Sequence, residues 1–210
     1  MNENWAAENL QTIRTLMERS AVYRRQLAPV TLLTGVVGLA AGGVGWMTQC
    51  DSPRRFILFW FAVAVISLAG ALVVIRRQAL RDKESFWSPP TRRVAQAMLP
   101  CFYIGLVPGL LMAVFENDGD IAEGITWMLV PIWMALYGAA LHAAGFFMLR
   151  GIRLFGYMFI LVGTLLLLGF CVIGYPQTFR HTHLAMGGIF GGLHLAYGIY
   201  LYFTEKKNFA

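Results

Sequence analysis

Six stretches of this chain stay apolar for about 20 residues or more, and none contains Asp, Glu, Lys or Arg. They cover 27–47, 56–75, 94–115, 125–149, 154–174 and 183–203. A bilayer core is about 30 Å thick, and a helix crosses it with roughly 20 apolar residues. No water is available there, so each run has to satisfy its own backbone N–H and C=O groups as helix. The expected fold is therefore all-α, a polytopic bundle of six transmembrane helices. Composition agrees: 58% of residues are hydrophobic and only 13% charged, about half the charged share of a soluble domain. The expected organisation is an N-terminal segment over 1–26, the six-span domain over 27–203 and a tail over 204–210. What lies outside the spans is termini and short loops, too little for a soluble catalytic domain.

Basic residues set the expected orientation. Of the 17 lysines and arginines, only Arg54, Arg55 and Arg180 fall on one side of the six-span arrangement. The acidic run from Glu116 to Asp120 lies on that same side. The positive-inside rule then places both termini in the cytoplasm. Trp46, Trp127 and Tyr175 fall at outer span ends and Tyr23, Trp87, Tyr200 and Tyr202 near inner ones, where amphipathic rings anchor at headgroups. The pI of about 9.5 thus reflects topology, and no nucleic-acid motif accompanies it. A bacterial plasma membrane is the expected location, with the bilayer itself as the first partner. No cleavable leader is expected, because the first apolar run starts late and has no small-residue cleavage site after it.

Leu10, Ile13, Met17 and Ala21 recur at helical spacing, so 9–26 reads as an amphipathic helix lying on the membrane. Pro89-Pro90 ends any helix continuing from the second span, and Thr91 is a candidate N-cap for the third. Only Arg150 to Arg153 separate spans four and five, which implies a tight antiparallel hairpin.

Chemistry is sparse. Ion-coupled transporters and pumps keep charged residues at depth, and these spans have none. His142 and His194 are the only clearly intramembrane ionisable side chains. Both lie on small-residue stripes: Ala135, Gly138, His142 and Gly145 in span four, and Gly187, Gly191, His194 and Gly198 in span six. Gly188 and Gly192 add an overlapping small-xxx-small motif. Such stripes let helix backbones approach closely, and the two stripes are placed to face one another. The plain expectation is that each histidine makes one interhelical hydrogen bond, with Tyr137 or Tyr197 as partner. A solute pathway would use His194 and the helix opened at Pro108. A haem between His142 and His194 is the third option; at 1.5 Å per residue their depths differ by roughly 4–5 Å counted from the inner ends and 7–8 Å from the outer.

His181-Thr182-His183 reads as a solvated loop, since an isolated His-x-His is weak evidence for a metal. Cys50, Cys101 and Cys171 form no CxxC, although Cys50 and Cys171 share the outer side. Protease, P-loop and dinucleotide motifs are absent, so enzymatic activity is not expected. The primary expectation is a non-enzymatic membrane component that packs with itself or a partner subunit through glycine faces, with no cofactor. A permease or channel for a small solute comes second, and a haem-binding redox subunit third.

Overall fold

A computed structural model describes residues 27–48, 52–83, 86–115, 120–148, 150–174 and 178–207. These form six long apolar helices: α1 (Leu27–Thr48), α2 (Pro53–Arg81), α3 (Pro89–Phe115), α4 (Asp120–Ala144), α5 (Arg150–Ile173) and α6 (Phe179–Lys207). No strand occurs among the described residues. Every expected span coincides with one helix. The proposed amphipathic stretch 9–26, the acidic run 116–119 and the Cys50–Cys171 pairing lie outside the described residues.

Helix ends differ from expectation for local reasons. α2 begins at Pro53 because Ser52 caps it: the Ser52 hydroxyl accepts the Arg55 N–H at 3.3 Å, and the proline has no N–H to leave unsatisfied. α3 likewise starts on Pro89-Pro90, so Thr91 is not its N-cap. Ser88 precedes the helix, its carbonyl accepts the Arg92 N–H at 3.1 Å, and its hydroxyl bonds that of Thr91 at 2.9 Å. The largest correction concerns span four. α4 stops at Ala144, and Gly145, Phe146 and Phe147 close the last turn onto Leu141, Ala143 and Ala144 carbonyls. Arg150 to Arg153 are the first turn of α5 rather than the connection.

Two glycine seams hold the bundle. The first joins α1 to α6 in antiparallel fashion. A Cβ built on Gly42 would meet Gly187 Cα at 2.9 Å, and one on Gly38 would meet Gly191 Cα at 3.0 Å. Gly35 abuts the Leu195 backbone, Gly45 abuts the His183 ring, and Gly198 abuts Leu32 and Thr31. The second joins α4 to α5: Gly138 lies on the Gly156 carbonyl and the Ile160 amide, and Gly163 on Pro131 and Ala135. Lipid tails are as apolar as leucine, so helices in a membrane associate by close packing rather than by hydrophobic burial. Removing Cβ atoms along a seam is the direct way to obtain it. The two histidine-bearing stripes therefore do not face one another; α4 spends its glycines on α5 and α6 spends its own on α1.

Between the seams sits an aromatic interior. Phe56, Trp60, Trp127, Phe170 and Phe179 cluster with Met134 and Met186 toward one end. Phe155 and Phe159 pack with Leu141 and Ile152 toward the other. Leu58, Val65, Ile66, Leu106, Leu161 and Leu165 point outward and are exposed, as a surface solvated by lipid requires.

Candidate functional site

His194 lies one turn beyond Gly191 on α6 and is only 2% exposed. Both ring nitrogens are used. The Phe190 carbonyl, one turn back, lies 2.7 Å from Nδ1. A carbonyl only accepts, so Nδ1 carries the proton. Nε2 is then the acceptor, and the Tyr137 hydroxyl donates to it at 2.8 Å. Tyr137 is thus the partner that the sequence suggested, and the bond ties α4 to α6. The imidazole is enclosed by the rings of Phe155, Phe159 and Phe190, with centroids 5.1–5.3 Å away. The result is a packed polar tie that fixes register between two helices. An axial bond to a haem iron would require Nε2 to give up Tyr137.

His142 has a different setting. It stands in the last turn of α4, close to the end of the bundle that carries most basic residues. Tyr137 marks the level of His194, and His142 is five residues further, about 7–8 Å along the axis and roughly 140° around it. The two histidines are not brought together. No hydrogen bond joins His142 to any described residue, and its Nδ1 is buried without a partner. Its ring lies 4.3 Å from Tyr157 and 5.3 Å from Phe146. Arg153, one turn before Tyr157 on α5, places its guanidinium 5.3 Å from the Phe146 ring centroid. Its Nε is also buried and unpartnered. Gly145 permits this arrangement, because a Cβ there would strike Arg153.

The His181–His183 pair is corrected. It lies in the first turn of α6, not in a solvated loop. Residues two apart on a helix point roughly 200° apart, so the pair does not converge. His181 is exposed and bonds Thr178 at 2.9 Å. His183 is fully buried among Phe56, Phe59 and Trp60, with centroids at 4.8, 5.1 and 6.0 Å. Beside it, the Arg180 Nε–H donates to the Trp46 carbonyl at 3.2 Å, and its guanidinium sits 4.0 Å over the Trp46 ring. That carbonyl is in the last turn of α1, where carbonyls lack helical donors and positive charge is favoured. Among the described residues no three of His, Cys, Asp and Glu converge on a metal-sized point.

Pro108 is exposed on α3, and the helix continues through it. Pro108 has no N–H and crowds the preceding turn. In that turn the Trp133 indole N–H donates to the Gly105 carbonyl at 2.9 Å, while Gly109 lies flat against Phe61 and Trp133. Tyr197 stacks on Phe155 at 4.4 Å. Of the packing glycines, Gly138, Gly145, Gly187, Gly191 and Gly198 all sit in close contacts, whereas nothing comes within 4 Å of a Cβ at Gly188 or Gly192. Gly35, Gly38, Gly42 and Gly45 were missed as partners, although their 3-4-3 spacing is the same signal that marked α6.

Compared with protein-family models, with curated proteins and with solved structures, the chain finds no match in any of the three.

Proposed function

We propose that this protein is a non-enzymatic component of a membrane, associating laterally through the open glycine face of α6 with a second membrane helix surface, a second copy of the chain in the simplest case. One observation carries the reading. α6 has two glycine faces one residue apart: Gly187, Gly191 and Gly198 are filled by α1, while Gly188 and Gly192 meet nothing within 4 Å. Small residues spaced by four allow another helix to approach closely and gain packing energy that lipid supplies poorly. The treatment of His194 supports a structural role for the interior, since both its nitrogens are held within the bundle.

The test is the mass of the purified full chain in mild detergent, with Gly192→Leu beside wild type. Gly191→Leu is unsuitable, because it would strike the α1 backbone and disturb the fold itself. A wild-type dimer or larger complex that Gly192→Leu reduces to monomer is expected. A monomeric wild type, or a complex indifferent to Gly192→Leu and to Gly188→Leu, overturns the reading.

A further inference from the structure

The cluster around His142 brings two buried, unpartnered nitrogens from different helices to one place. Four side chains form a run of neighbours at the junction of α4 and α5, from Tyr157 through His142 and Phe146 to Arg153. His142 touches Tyr157 and Phe146, and the Arg153 guanidinium lies 5.3 Å from the Phe146 ring centroid. Gly156 and Gly145 bring the two helices close enough for this. Two buried nitrogens, Nδ1 of His142 and Nε of Arg153, have no hydrogen-bond partner. No carboxylate among the described residues pairs with Arg153. A lone arginine near a helix end usually extends its head into water; this one keeps its Nε buried, with the Phe146 ring beside its guanidinium. Arg150 begins the same helical turn and adds a second positive charge.

The surroundings are apolar and open to lipid. Phe146 is 65% exposed, Tyr157 54% and Leu154 61%. From Tyr157, a ridge of exposed leucines at Leu161, Leu165 and Leu168 continues along α5, about 16 Å of helix at 1.5 Å per residue. The site therefore offers an arginine, an imidazole and a phenol at one end, and an apolar track leading away from them. We infer that it binds an anionic phospholipid, with the phosphodiester held by Arg153, His142 and Tyr157 and an acyl chain along the α5 ridge. Arginine binds phosphate with charge-assisted, geometrically matched hydrogen bonds, and basic pockets between spans are established headgroup sites. A soluble phosphate ion would engage the same donors but gain nothing from the ridge.

The experiment is native mass spectrometry of the full chain in neutral detergent. Phosphatidylglycerol, phosphatidylcholine and inorganic phosphate are titrated separately. Wild type is expected to hold phosphatidylglycerol in preference to phosphatidylcholine, and Arg153→Gln to weaken that binding by about tenfold. Tyr157→Phe removes only a hydroxyl from a half-exposed ring, so it tests the site without risk to the fold; a loss of about threefold is expected. Equal binding of phosphatidylglycerol by wild type and both variants overturns the site. If Arg153→Gln does not fold, Tyr157→Phe decides alone. Equal affinity for phosphatidylcholine, or inorganic phosphate binding as tightly as the lipid, overturns the assignment to an anionic lipid. Gly192→Leu is expected to leave lipid binding unchanged, which separates this site from the lateral face.

Discussion

Alanine at two neighbouring positions, Gly187 and Gly188, is expected to move stability in opposite directions. A Cβ at Gly187 would stand 2.5 Å from Gly42 Cα, 2.8 Å from the Gly38 carbonyl oxygen and 2.9 Å from the Gly42 amide nitrogen. All three are backbone atoms and none can rotate away. Ordinary contact needs about 3.5–4.0 Å, so α1 and α6 would have to part by roughly 1 Å. Overpacking of this kind costs about 1–3 kcal/mol, while Gly→Ala inside a helix returns about 0.5–1 kcal/mol. Three simultaneous clashes with backbone atoms put Gly187 at the upper end of that cost, so Gly187→Ala should destabilise by about 2 kcal/mol net. At Gly188 a Cβ meets nothing within 4 Å, so only the favourable helix term remains and the variant should gain up to about 1 kcal/mol. Reversible unfolding by SDS in mixed micelles, followed by tryptophan fluorescence, reads the difference at a dilution where the chain is monomeric. Each 1.4 kcal/mol is about tenfold in the unfolding equilibrium. A Gly187→Ala protein as stable as wild type, or one matched by Gly188→Ala in its loss, refutes the seam.

Two further outcomes are expected. Tyr137→Phe leaves the buried Nε2 of His194 without its donor and should cost about 1–3 kcal/mol in the same titration; no change would mean that the tie between α4 and α6 contributes nothing. A reporter that works only in the cytoplasm should be active when fused after Ala210, since the positive-inside rule puts the side richer in basic residues there, and activity of an export-dependent reporter at that position would reverse the expected orientation.

The spans were legible because a bilayer leaves backbone polar groups one local solution, and uncharged runs of span length state it directly. Helix ends were less so. Gly145 packs closely, against Arg153, but it also closes α4 within a run that stays apolar to Leu149, because what stops a helix is backbone geometry and not loss of hydropathy. The Tyr137–His194 bond was readable as chemistry, since a buried imidazole seeks a partner and few hydroxyls lie at its depth. Which helices meet was not readable. Glycine stripes on α1, α4, α5 and α6 all carry the same signal, and spacing alone does not say which stripe lies against which. The aromatic enclosure of His183 depends on the same pairing, because Gly45 of α1 and Phe56, Phe59 and Trp60 of α2 surround it only once α6 has docked.

The seam between α1 and α6 also imposes an order on biogenesis. Gly42 and Gly187 are about 145 residues apart in the chain, a separation that takes roughly 7–30 s to synthesise at about 5–20 residues per second. Through that interval the first span is already available to the bilayer with its glycine groove empty, and its partner does not yet exist. Closure of the bundle is therefore a late event that waits for the sixth helix. A chain cut short before α6 would leave the α1 groove open to other membrane helices.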